Sequence, residues 1–145
     1  MPFFVVFLIS LPFFFLTTGQ NFGRLWKGGL IGVGIMIIAD TIGHLMNLYH
    51  YKSPIMLGGY LPILHFVNIF LLSMIYLNWL PPLWPKRILY TVYLSVLAIA
   101  IEGLMLQAGA VTYTNWQLSS SYILDMVGLL LLAHFNDFVN KVKTV

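Results

Sequence analysis

The chain has 145 residues, 60% of them hydrophobic and 8% charged, with a mean hydropathy of +0.91 and a formal net charge of +3. Soluble domains carry about 25% charged residues, so this composition excludes an ordinary soluble domain and predicts an integral membrane protein. With no cysteine, disulfides, thiolate nucleophiles and Cys-ligated metals are excluded as well.

Hydropathy predicts an all-α bundle of five transmembrane helices, at about 2–18, 28–50, 55–80, 88–109 and 119–138, forming a single transmembrane domain over residues 1–145. The first span holds six phenylalanines and no ionisable side chain, which predicts a lipid-facing helix outside the bundle. Pro12 removes the hydrogen bond to the Leu8 carbonyl and predicts a kink. No Lys or Arg precedes this apolar run, so it reads as a retained span rather than a signal peptide.

The second span contains Gly28 and Gly32 in a GxxxG pattern, with Gly29 and Gly34 nearby, a surface suited to close helix contact. It also carries Asp40, His44 and Asn47. At 100° per residue these fall within about 40° of one another, and Tyr51 joins them. A carboxylate near mid-bilayer is unfavourable by roughly 2.5–3.5 kcal/mol on insertion scales, so Asp40 requires partners on other helices.

The third span places His65, Asn68 and Tyr76 on one face, and Pro81, Pro82 and Pro85 are expected to stop it. In the fourth, Thr91, Ser95, Ala98, Glu102, Met105 and Gly109 recur at three- and four-residue steps, a stripe of small and polar groups expected to be buried. The fifth carries Ser121, Asp125, Gly128 and Asn136 on a common face, while Asp137 is expected to be solvated at the membrane edge. Reading along the chain reveals no internal repeat.

Basic residues cluster in the 1–2 loop (Arg24, Lys27), the 3–4 loop (Lys86, Arg87) and the tail (Lys141, Lys143), against Lys52 alone on the other side. The positive-inside rule therefore predicts an outside N-terminus and a cytoplasmic C-terminus, not a nucleic-acid partner. Trp26, Trp79 and Trp84 fall at the inner interface and Trp116 at the outer one.

Three of the four acidic residues, Asp40, Glu102 and Asp125, lie inside apolar spans. At 1.5 Å per residue, Asp40 falls about 2 Å to the outer side of the midplane, Glu102, Asp125 and His65 about 4–6 Å, and His44 about 8 Å. The expectation is one pocket in the outer half of the bundle built from Asp40, His44, Asn47, His65, Asn68, Glu102 and Asp125. Three carboxylates in an apolar pocket need a proton, a histidinium, a metal or another cation. Asp40, His44, His65, Glu102 and Asp125 are the candidate metal ligands, of a type suited to a divalent cofactor such as Zn²⁺, Mn²⁺ or Fe²⁺.

Three functions fit: binding or conducting a proton, cation or small ligand; a structural or partner-binding role in which the polar groups only hold the helices, within a homo-oligomer or beside another membrane protein; and an enzyme at the outer leaflet. The chain has no phosphate loop, nucleophile elbow, HExxH or EF-hand loop, which argues against the enzyme.

From Arg87-Ile88-Leu89-Tyr90 onward, through Glu102, Gly109, Tyr113, Trp116 and Ser119 to Ser121, the chain resembles a family of small uncharacterised membrane proteins from spore-forming Gram-positive bacteria. Asp40 is similar to an acidic residue that follows Gly in that family; here Ala39 precedes it, and Met56-Leu57-Gly58-Gly59 stands where that family has a Pro-Asn-His type of sequence. The resemblance implies a bacterial cytoplasmic membrane location and no particular activity.

Overall fold

The computed structural model describes residues 2–140; Lys141 and Lys143 of the topology argument lie outside them. Among the described residues there are five α-helices: α1 (Pro2–Thr17), α2 (Phe22–Leu45), α3 (Ile63–Asn78), α4 (Trp84–Gln107) and α5 (Leu118–Asn140). Four short strands join them: β1 (Tyr49–Tyr51), β2 (Met56–Leu57), β3 (Leu61–Pro62) and β4 (Val111–Tyr113).

Among the described residues three segments, not five, are long and apolar enough to cross a membrane: Gly19–Leu45, Trp84–Gln107 and Leu118–Asn140. The helices α1 and α3 have 16 residues each. That is about 24 Å of helix, short of a hydrocarbon core of about 30 Å. The third helix is shorter than hydropathy predicts because residues 56–62 fold as a hairpin. Leu57 pairs with Leu61, and Gly58 and Gly59 both take positive φ, +61° and +79°. Glycine adopts that conformation without penalty, and Pro62 disfavours helix at the residue before it.

Two other boundaries move. Pro85 does not end a helix but sits in the first turn of α4, where its missing N–H has no partner to lose. The second helix stops at Leu45, so Asn47 and Tyr51 leave the helical face shared by Asp40 and His44.

The first helix is not detached. Phe3 and Phe14 are buried, and the Phe3 carbonyl accepts a hydrogen bond from Asn68 Nδ2 of α3 at 3.0 Å. The helix runs unbroken through Pro12. The main core joins Phe14 of α1 and Leu25 of α2 to Leu71, Met74, Tyr76 and Leu77 of α3 and Leu132 and Ala133 of α5.

The glycines of α2 set the helix spacing. A methyl group on Gly32 would stand 1.9 Å from Ser73 Oγ, and one on Gly28 would stand 2.1 Å from Leu77 Cδ1. Both face α3, so the GxxxG pair is an α2–α3 contact.

The 24-residue helices α2 and α4 end alike. After α2, Leu48 N–H bonds the Gly43 carbonyl and Asn47 N–H bonds the His44 carbonyl, with Asn47 at φ +53°. After α4, Ala110 N–H bonds the Met105 carbonyl and Gly109 N–H bonds the Leu106 carbonyl, with Gly109 at φ +70°. Each is a Schellman ending with a left-handed residue at the turn.

Each ending feeds a strand, and the strands pair antiparallel: Tyr49 with Tyr113, His50 with Thr112, Tyr51 with Val111. The spacing between the two units is constant at 62 residues, for Asp40 and Glu102, Asn47 and Gly109, and Tyr51 and Tyr113 alike. The centre of the sheet pairs His50 with Thr112, which are themselves equivalent positions, so the ladder maps onto itself under a local two-fold. The repeat that the residue types do not announce is present in the backbone.

Candidate functional site

Strand side chains alternate, so Tyr49 and Tyr51 of β1 share a face with Val111 and Tyr113 of β4. That face closes over the carboxyl ends of α2 and α4. The Tyr49 and Tyr51 hydroxyls both donate to Asp40 Oδ1, each at 2.9 Å. The other carboxyl oxygen, Oδ2, lies 3.4 Å from His65 Nε2 of α3 and has no hydrogen-bond partner of good geometry. The Asp40 side chain is only 7% exposed. One oxygen of this buried carboxyl is thus met by two hydroxyl donors, and the other faces an imidazole without a hydrogen bond.

The Glu102 carboxyl is served in the same way. Tyr113 donates to Oε1 at 2.5 Å and Ser121 of α5 donates to the same oxygen at 2.9 Å. Trp116 Nε1 donates to Ser121 Oγ at 2.7 Å, closing the group from the loop side. In both units the tyrosine stands eleven residues after the carboxyl.

These hydroxyls remain protonated donors. Burial, then the facing Asp40 charge, push Tyr49 and Tyr51 well above the usual phenol range. Burial and the hydrogen bond to Glu102 do the same for Tyr113.

A cavity of about 50 Å³ lies beside Asp40, lined by His44, Tyr49, His50, Tyr51 and Tyr60 among others. His44 stacks on Tyr60 with ring centroids 4.5 Å apart and planes 12° from parallel. On the other side of Tyr49 is an apolar cleft of about 120 Å³ lined by Ala39, Ile42, Gly43, Leu48, Trp116 and Leu124. Gly43 makes room for the tyrosine; a methyl group there would stand 2.5 Å from the ring.

The seven expected pocket residues therefore divide. Asp40 and His65 meet, and His44 lines the adjoining cavity. Glu102 belongs to its own hydroxyl group, and Asp125 stands one turn beyond Ser121 on α5. Asn47 is exposed, its Oδ1 2.6 Å from His50 Nε2. Asn68 is bound to the Phe3 carbonyl and is no part of the pocket. Among the described residues no three His, Asp or Glu groups stand together as a metal ion would require. The expected Asp40–His44–His65–Glu102–Asp125 metal site is not assembled: hydroxyl groups occupy Asp40 Oδ1 and Glu102 Oε1, and the His44 ring is stacked.

At the opposite end of the helices, Asp137 is not solvated. It pairs with Arg87, which is 4% exposed and also donates Nε–H to the Pro81 carbonyl at 2.7 Å while lying under the Trp84 ring. Close by, the Tyr76 and Thr91 hydroxyls are 2.9 Å apart.

Sequence reasoning finds the carboxyls but misses Tyr49, Tyr113, Ser121 and Trp116 as their partners. The one available signal is the equal spacing from each acid to a later tyrosine. Comparisons with family models, curated proteins and solved structures gave no match to this chain.

Proposed function

We propose that this is a polytopic membrane protein that binds a small monovalent cation, a proton included, at Asp40 beneath the outer surface. The observation that carries this reading is a carboxylate nine-tenths buried, with one oxygen free of hydrogen bonds, beside a cavity. In this reading all five helices are embedded, α1 and α3 as short spans. The sheet end, with Lys52 as its basic residue, faces outward. Arg24, Lys27, Lys86 and Arg87 face the cytoplasm, and positive-inside bias supports that orientation. The resemblance to the spore-former membrane proteins supports a bacterial cytoplasmic membrane as the location.

Chemically, the two tyrosine hydroxyls hold the Asp40 charge in place, and His65 supplies a second protonatable group within reach. A cation entering the cavity meets the Asp40 carboxyl that lines it.

A second reading, that the carboxyls only lock the bundle, is favoured by the hydroxyl donors that the chain itself supplies to Asp40 Oδ1 and Glu102 Oε1. One titration separates the two. Tyrosine absorbance of the purified protein is followed against pH and against Na⁺, K⁺ and ammonium, for the wild type and for Asp40→Asn. The binding reading expects a saturable change in the wild type that the variant lacks. No such change, with Asp40→Asn only lowering the melting temperature, leaves the structural reading in its place.

A further inference from the structure

Two spaces of opposite character meet at one side chain. The Tyr49 ring lines both the polar cavity beside Asp40 and the apolar cleft between α2 and α5. It is the partition between them, seated against Gly43 and hydrogen-bonded to Asp40. We infer that the two spaces together form one site for a small amphipathic amine, its ammonium on Asp40 and its short hydrocarbon tail in the cleft.

The sign of the head follows from the acids. Asp40 is the carboxyl in the cavity lining, and Tyr49 beside it also lies under the field of Glu102 and Asp125. The bases nearby are imidazoles: His65 faces Asp40, and His44 and His50 line the cavity. An anionic head would meet carboxylates, and a neutral one would leave the Asp40 oxygen without a charged donor. The tail follows from the lining: Ala39, Ile42, Gly43, Leu48 and Leu124 offer it no polar side chain. The cavity, at about 50 Å³, suits a primary ammonium and excludes a bulky head.

Tyr49 also sets the selectivity. A ligand that spans both spaces turns this ring aside and puts its N–H where the phenol donates to Oδ1. The phenol and the ammonium then compete for one acceptor, while Tyr51 keeps its hydrogen bond to the same oxygen. Tyr49→Phe removes the competitor and keeps the ring.

This assignment rests on the cation reading of Asp40, and the test is built so that the two fail separately. The full-length protein in nanodiscs is titrated calorimetrically with ammonium, methylammonium, n-propylammonium and n-butylammonium chloride, and with n-butanol, against empty nanodiscs as the partition control. Affinity is expected to rise roughly four-fold for each methylene taken into the cleft, and n-butanol is expected not to compete. Tyr49→Phe should tighten n-propylammonium and n-butylammonium, the members long enough to span both spaces. Ala39→Phe, which fills the cleft from α2, should remove the chain-length dependence.

Methylammonium binding with no rise along the series overturns the amphipathic site and leaves the cation reading standing. No binding by any member, in a protein that melts normally, overturns both. Equal binding of n-butanol and n-butylammonium overturns the role given to Asp40.

Discussion

The contact of α2 with α3 at Gly32 yields a quantitative test. Gly32 of α2 lies so near α3 that an added methyl group would stand 1.9 Å from Ser73 Oγ and 2.7 Å from Ser73 Cβ. The second distance involves an atom fixed to the backbone, so turning the hydroxyl away cannot relieve it. Gly34, two residues on, has nothing within 4 Å of the same added group. Ala is a better helix former than Gly by about 0.8–1.0 kcal/mol, so Gly34→Ala should be neutral or slightly stabilising. Gly32→Ala gains the same propensity but overpacks the contact, at about 1–3 kcal/mol. The difference between the two variants is therefore expected to be about 1–3 kcal/mol against Gly32→Ala. Unfolding in mixed detergent micelles, followed by circular dichroism, measures it. Ser73→Gly in the Gly32→Ala background should recover most of the loss, because it removes both clashing atoms, and the coupling energy of that cycle is the diagnostic quantity. Equal stability of Gly32→Ala and Gly34→Ala would refute the claim that this glycine sets the spacing of α2 and α3.

Three further outcomes follow from the polar groups. Arg87→Met should destabilise by about 3–5 kcal/mol in the same unfolding assay, because Asp137 is left as an unpaired charge, and Arg87→Met with Asp137→Leu should lose less than either change alone. Tyr113→Phe should lose about 1.5–3 kcal/mol, the range for a hydrogen bond to a charged group, and Tyr93→Phe, at an exposed ring, should lose nothing measurable. Stability should also fall at high pH. Tyr49, Tyr51 and Tyr113 are raised in the folded state, so above about pH 10 the unfolded chain loses phenol protons that the folded chain keeps. Stability is then fully present below pH 10 and declines above it, and a melting series in which Tyr51→Phe has an undiminished alkaline slope would contradict this.

How far the sequence leads depends on which interaction decides each feature. Burial from water decides the class of the protein, and hydropathy reads it directly: helices form near all five predicted runs. Local backbone chemistry decides the boundaries. The Gly58–Gly59 pair and Pro62 were visible signals for a hairpin, overridden in the reading by the apolar side chains around them. Pro85 illustrates the opposite error, since the same residue that breaks a helix interior is welcome in its first turn. Periodicity tells which face of α3 Asn68 occupies but not that α1 supplies its partner, because that pairing spans sixty-five residues. For the acids, the requirement for partners is legible, while the partners lie beyond the helix on strands that no helical projection reaches.

The construction at the sheet end explains why tyrosine does this work. Neighbouring helices offer a buried carboxylate donors only along their packed stripes, which in this chain are rich in small and apolar residues. A strand crossing the helix ends presents every second side chain downward, at right angles to those stripes. Tyrosine alone combines an apolar ring that fills the space under the sheet with a hydroxyl at its tip. The Schellman turn fixes how far past the carboxyl the strand begins, so both units reach their acid from the same position, eleven residues on. What differs is the third neighbour. In the second unit the indole of Trp116 and the Ser121 hydroxyl complete the group around Glu102. In the first, the corresponding space holds the His65 imidazole on one side and a cavity on the other. One backbone design, used twice about a local two-fold, thus brings hydroxyl donors to one oxygen of each acid, and the difference between the two, a serine and an indole at Glu102 against an imidazole and a cavity at Asp40, resides in a few side chains rather than in the fold.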